Sequence, residues 1–223
     1  MHSVKEQVEY LSEFVTDYKN DLFRRLIAER TSYVTMVLED FYQHNCSAVL
    51  RSCDCFGIQN VHIIENMNTF TDNSEISMGA SDWLTIHRHR KRENNTIETI
   101  DILKSQGYRI IATTPHEQDT FIDQIDLHKG KMAFCMGTEL TGLSDDVLTR
   151  ADEFVKVPMY GFTESYNVSV CAALLMYSVV QRLRQTEIDW HLSDEERDQV
   201  LFAWYKRSIK ASAQILKRFN HNV

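Results

Sequence analysis

Three polar clusters stand where this chain could assemble a site: "HNCSAVLRSC" from His44, "GTELTGLS" from Gly137 and "GFTESYN" from Gly161. In the first, Asn45 offers an amide that can cap a helix, and Arg51 projects a guanidinium beside the apolar residues Ala48, Val49 and Cys53. In the second, Gly137 follows the apolar run "MAFCM", so a ligand can approach the backbone closely there, and Glu139 adds a carboxylate. In the third, Ser165 and Asn167 supply a hydroxyl and an amide just before an apolar helical stretch, whose first turn presents free N–H groups. Gly137 and Gly142 have the spacing of a phosphate loop, but Leu143 stands where its lysine belongs, and no GxGxxG occurs. Triphosphate-loop and dinucleotide chemistry are therefore disfavoured.

The elements that must position these clusters alternate along the chain. Short β-branched or apolar runs, "SYVTMVLED", "VHIIE", "WLTIHR", "YRIIAT", "MAFCMG" and "EFVKVP", read as strands. Helical patterns fall between them: Asn45 to Phe56 closed by Gly57, Thr96 to Gln106 closed by Gly107, Ser144 to Ala151 opened by Ser144, and Asn167 to Leu183. Strand and helix in turn predict an α/β domain with a mostly parallel sheet, whose ligand site lies beyond the carboxyl ends of the strands. A charged N-terminal helical extension, 1–30, and a C-terminal one, 185–223, flank this main domain of 31–184. The segment "RQTEIDWHL" is the expected linker, and "SDEE" from Ser193 is a capping box with Glu196.

Composition narrows the function classes. With 223 residues and 43% hydrophobic content, the chain can bury a sizeable core. No window reaches the apolar length of a membrane span, and charges near the N-terminus replace the apolar core of a signal peptide, so a cytoplasmic protein without membrane association is expected. Cys46, Cys53, Cys55, Cys135 and Cys171 form no CxxC pair and read as reduced core thiols, with no metal expected. The net charge of −8 argues against binding nucleic acid by bulk electrostatics. Two local basic groups, His87 to Arg92 and Lys206, Arg207, Lys210, Lys217 and Arg218, can each meet phosphates or form a solvated face.

In order and spacing, "HNCSAVLRSCDCFG", "FCMGTELTGLS" and "VPMYGFTESYNVSVCAALLMY" resemble the three motifs of the SPOUT superfamily, specifically its SpoU/TrmH-type RNA ribose 2′-O-methyltransferases. The resemblance spans Leu22 to Arg184 and includes "SMGASDWLTIHRH" and "YRIIATTPHE". The segment "DLFRRLIAERTSYVTMVLEDFYQHN" is most similar to the branch that methylates guanosine 18 of the tRNA D-loop. The resemblance implies a C-terminal trefoil knot, against the general rule that chains do not thread their own loops. It also implies a homodimer, S-adenosylmethionine as cofactor, and tRNA or another structured RNA as substrate. Thr113, Gly137, Val157, Met159 and Tyr166 would line the cofactor, and Arg51, Asn45, Glu139, Ser165 and Asn167 would form the catalytic set.

A ribose hydroxyl is a very weak acid and must be both aligned and relieved of its proton. The resemblance gives that task to Arg51. A guanidinium stays protonated in proteins, so Arg51 can instead clamp a phosphate and polarise the hydroxyl. His44 is a competing base with a suitable pKa, or a structural hydrogen bonder. Other readings are methylation of ribosomal RNA or of another tRNA nucleotide, a non-catalytic RNA-binding protein of the same fold, and a dehydrogenase or deacylase sharing only the α/β layout.

Overall fold

The computed structural model describes residues 2–115 and 119–221. His116 and Glu117, within the expected "YRIIATTPHE" motif, lie outside them. The chain divides into two compact units, one of residues 32–190 and one joining the segment up to Thr31 with that from His191 onward.

The larger unit is an α/β layer structure around a seven-stranded sheet with every strand pairing parallel. Its strands are β1 (Val34–Glu39), β2 (Asn60–Ile64), β3 (Thr85–His89), β4 (Arg109–Thr113), β5 (Thr120–Phe121), β6 (Met132–Met136) and β7 (Glu153–Lys156), in the spatial order β3-β2-β1-β6-β4-β7-β5. All residues of β1 and β6 are buried, as expected of central strands covered on both faces. The two-residue side-chain period then divides each strand between two cores. Met36, Leu38, Phe134 and Met136 pack with α3 (Gln43–Phe56) and α7 (Val168–Leu183). Val37, Ala133 and Cys135 pack on the opposite face with α5 (Thr96–Ser105) and α6 (Asp145–Arg150). A short α4 (Ser74–Ser77) lies between β2 and β3.

Four sequence expectations change. The helix expected from Asn45 begins at Gln43, with Tyr42 at its N-cap, so Asn45 lies in the first turn and caps nothing. The linker expected at 184–192 is packed rather than free, because Ile188 and Trp190 lie against the core of the larger unit and Arg184 sits over the Trp190 ring at 4.7 Å. Cys55 is exposed, so only Cys46, Cys53 and Cys135 are fully buried thiols. The basic stretch from His87 is partly structural. Its first three residues belong to β3, Arg88 forms a 2.6 Å ion pair with buried Glu65, and Arg92 pairs with Glu98 at 2.9 Å.

In the smaller unit, α1 (Val4–Ser12) and α8 (Asp194–Ser208) each open on a capping box, Ser3 with Glu6 and Ser193 with Glu196. Thr16 starts a separate helix, α2 (Asp17–Ile27), and α9 (Ser212–His221) follows α8. Phe23 meets Trp204 and Tyr205 edge-on, and the Tyr205 hydroxyl donates to Asn20 Oδ1 at 2.7 Å. No described helix is long and apolar enough to cross a membrane.

Candidate active site

Strands β4, β6 and β7 end side by side, and the chain leaving each of them walls a cavity of about 170 Å³. After Met136 the chain turns back on itself: Thr138 N–H donates to the Gly142 carbonyl at 3.2 Å, and Gly142 N–H donates to the Thr138 carbonyl at 3.0 Å. That reversal requires glycine at 137, because a Cβ there would lie 2.0 Å from the Gly142 oxygen. Thr113 and Thr114 enter from β4, Val157 and Met159 from β7, and Ser165, Tyr166 and Cys171 from the approach to α7 and its first turns.

Asn167 ties the three motif segments together. Its Oδ1 caps α7 by accepting from Ser169 N–H at 3.0 Å and Val170 N–H at 3.4 Å. Its Nδ2 donates to Glu139 Oε1 at 2.8 Å and to Asn45 Oδ1 at 3.2 Å, and Val168 N–H also donates to Glu139 Oε1 at 3.1 Å. The Glu139 carboxylate thus sits at the positive end of the α7 dipole. The 122-residue separation of Asn45 and Asn167 closes through one side-chain contact. A further stitch, from the Tyr166 hydroxyl to the Pro158 carbonyl at 3.1 Å, joins the two ends of the intervening loop.

Thr113, Gly137, Val157, Met159 and Tyr166 all line the cavity, together with Glu139 and Ser165. Asn45 and Asn167 stand behind Glu139. Arg51 and His44 are exposed on α3 and do not line the cavity. The sequence reading missed Thr114, Met136, Thr138 and Cys171, although Met136 and Thr114 are recognisable as strand-exit positions and Cys171 lies one turn beyond Asn167 on the same helix. Burial pushes the Cys171 thiol up to about 11, so it serves as an apolar wall rather than a nucleophile.

It also missed Glu39, a buried carboxylate at the end of β1. Glu39 accepts from the Thr96 hydroxyl at 2.7 Å, the Ser144 hydroxyl at 2.7 Å and Ser144 N–H at 2.9 Å, so it pins the starts of α5 and α6 and the far end of the Gly137–Leu143 turn. Among the described residues no group of three or more His, Cys, Asp or Glu is arranged to hold a metal ion.

The cavity combines a glycine turn, an apolar wall and exposed amide and carboxylate groups. The Thr113 hydroxyl is buried with no hydrogen-bond partner among the described residues, which leaves it for a bound molecule. Residues 33–177 match the SpoU rRNA Methylase family. This chain belongs to that family. Among SpoU relatives, the tRNA (guanosine(18)-2'-O)-methyltransferase of Borreliella burgdorferi is 40% identical over 208 residues, which cover 93% of this chain and 93% of the relative. The fold is shared with the TrmH/SpoU tRNA modifying enzyme of A. aeolicus, at TM-score 0.76 and 23% identity over 86% of this chain and 98% of that one. It is also shared with the SpoU methyltransferase AviRb of Streptomyces viridochromogenes, solved with AdoMet, at TM-score 0.61 and 20% identity over 72% and 64% of the two chains.

Proposed function

We propose that this SpoU-family chain is an S-adenosylmethionine-dependent tRNA (guanosine(18)-2'-O)-methyltransferase. The observation that carries the reading is the convergence of all three motif segments on Asn167, at the edge of a cavity walled by the strand exits. The end-to-end relative from Borreliella burgdorferi bears that activity in its name and supports the choice of substrate.

The residues present fit the cofactor. Met136, Val157, Met159 and Val168 supply an apolar wall for an adenine ring, Gly137 brings the backbone close, and Thr113 offers a hydroxyl unpaired among the described residues. S-adenosylmethionine, when bound, supplies a methyl group already activated on a sulfonium. What the protein must add is alignment of the ribose hydroxyl and removal of its proton. Glu139 and Asn167, fixed on one another, shape the place where the ribose enters. Arg51 holds an RNA phosphate and polarises the 2′-hydroxyl, a role suited to a guanidinium that stays charged.

Because Arg51 does not line its own chain's cavity, we assign it to the cavity of a second copy in a homodimer. An outward apolar stripe supports that assembly: Val170, Leu174 and Tyr177, at i, i+4 and i+7 on α7, are 47%, 40% and 60% exposed. We further read residues 157–183 as the threaded part of a trefoil knot and the 32–190 unit as the methyltransferase domain, with helical extensions on either side. A cytoplasmic location accords with a tRNA substrate.

The test is to map 2′-O-methylated nucleotides in tRNA from cells with and without this protein, and to assay the Arg51→Ala variant on a tRNA transcript. Loss of the methyl group at nucleotide 18 without the protein is expected. The variant should lose about 100-fold or more in turnover while retaining cofactor binding. Near-normal turnover would remove Arg51 from the mechanism.

A further inference from the structure

The loop between the cavity residues Met159 and Ser165 carries two aromatic rings that nothing described covers. Tyr160 is 95% exposed and Phe162 108%, the largest exposures among the large hydrophobic residues described. The loop is closed at its base by the hydrogen bond from Tyr166 to the Pro158 carbonyl, so the rings stand on a short, tied hairpin of chain rather than on a tail. Leu140, 85% exposed, lies in the turn after β6 beside the cavity residue Glu139. Glu164, within the same loop, is exposed as well.

Isolated apolar side chains on a surface need no explanation, but two bare aromatics flanked in sequence by cavity residues define a rim. A ribose reaches a pocket only when its nucleotide is drawn out of the stack, and a base so released is held on aromatic faces. A carboxylate beside an RNA site is repelled by phosphates unless it meets donors. Among the standard bases, guanine offers two adjacent donors on its pairing edge, N1–H and the N2 amino group, and a carboxylate is an acceptor with two oxygens. Adenine offers one donor beside an acceptor.

We infer that Tyr160 and Phe162 form a stacking site for the base of the nucleotide being methylated, and that Glu164 selects guanine by accepting from its pairing edge. This rests on the methyltransferase reading above and adds to it the source of base specificity. The α7 stripe, assigned above to the contact with a second copy, begins at Val170, beyond this loop in the sequence.

The experiment measures kcat/KM on tRNA transcripts with guanosine, inosine or adenosine at nucleotide 18, S-adenosylmethionine Kd, and sedimentation. Tyr160→Ala and Phe162→Ala should each lower kcat/KM about tenfold with cofactor Kd and oligomeric state unchanged. Phe162→Tyr and Tyr160→Phe should restore it. Glu164→Ala should narrow the preference for guanosine over adenosine, and wild type should discriminate against inosine, which lacks the N2 amino group. An active wild type beside an unaffected Tyr160→Ala/Phe162→Ala double variant would overturn the stacking site and leave the enzyme reading intact. Loss of activity accompanied by dissociation into monomers would also overturn it, assigning the rings to the contact between copies. A wild type that leaves nucleotide 18 unmodified would overturn both.

Discussion

The carboxyl edge of the sheet has two halves that treat their polar groups in opposite ways. Beyond β1, β2 and β3, carboxylates are saturated. Glu39 accepts three hydrogen bonds, and Asp40 Oδ1 accepts from the N–H groups of Asn66, Met67 and Asn68 at 2.8, 2.7 and 3.3 Å. Glu65 is held by Arg88 Nε and Nη2 and by Phe70 N–H. Beyond β6, β4 and β7, Glu139 meets the start of α7 through Oε1 and remains exposed, and Thr113 keeps a hydroxyl unpaired among the described residues. The same strand exits can therefore be sealed or left open, and the choice is made by side chains rather than by topology. A ligand site is the half whose polar groups keep bonding capacity to spare, here the Thr113 hydroxyl and the exposed Glu139 carboxylate.

The strongest way to break this contrast is to fill the open half from within. In Gly137→Ala the new methyl group meets the Gly142 carbonyl, which is backbone and cannot swing aside as a side chain would. The turn must move, and Thr138 and Glu139 move with it. S-adenosylmethionine affinity measured by calorimetry should fall about 100-fold or more, equivalent to roughly 3 kcal/mol. Gly137 to Gly142 lie outside the buried core clusters, so the far-ultraviolet circular dichroism should stay that of wild type. Unchanged affinity would mean that the reversal at Gly137 does not shape the cofactor site.

A smaller effect is expected from opening the sealed half. Glu39→Gln keeps size and shape but turns one oxygen into an NH₂ group. One end of the amide must then face the Ser144 N–H or a hydroxyl it no longer matches, inside a site that is 4% exposed. Leaving a buried donor unpaired costs about 1–3 kcal/mol, which for a chain of this size lowers Tm by several degrees in a thermal melt. Because Glu39 anchors the end of the Gly137–Leu143 turn, kcat should fall as well. A melt within a degree of wild type would show that the sealed half contributes little to stability.

What the sequence revealed and concealed divides along the same line. The central strands were legible because "VTMVL" and "MAFCM" are buried on both faces and therefore apolar throughout. The motif loops were legible because glycine, carboxylate and amide recur at strand exits. Asn45 was misread as a cap because local pattern cannot see Asn167, 122 residues away, which claims its side chain. Arg88 was counted in a group free to meet phosphates or solvent because its carboxylate partner, Glu65, belongs to the preceding strand exit. β5, with two residues, is too short to leave a hydrophobic pattern. For Asn45 and Arg88 the missing information was a partner distant in sequence, which periodicity does not encode.

The mildest test separates the halves by pH. On the sealed side, His62 of β2 is 4% exposed, stacks on His87 at 4.5 Å, and places Nδ1 3.0 Å from His89 Nε2. Burial, then the two neighbouring imidazoles, lowers its pKa to about 3, whereas a free histidine titrates near about 6.5. The folded state thus keeps His62 neutral while the unfolded state takes up a proton. The resulting stability is fully present above about pH 6.5 and is lost as the pH falls from there towards about 3. Chemical denaturation should show about 1 kcal/mol less stability at pH 5.5 than at pH 7, and His62→Gln should flatten that slope. Glu65 acts lower on the scale: burial raises its carboxyl, but Arg88 and Phe70 N–H outweigh burial and leave it below the usual range, so its contribution fades only as the pH drops below about 4.3. A slope between pH 7 and 5.5 that survives in His62→Gln would move the effect to other groups, first among them His87 and His89, whose pKa values burial also lowers.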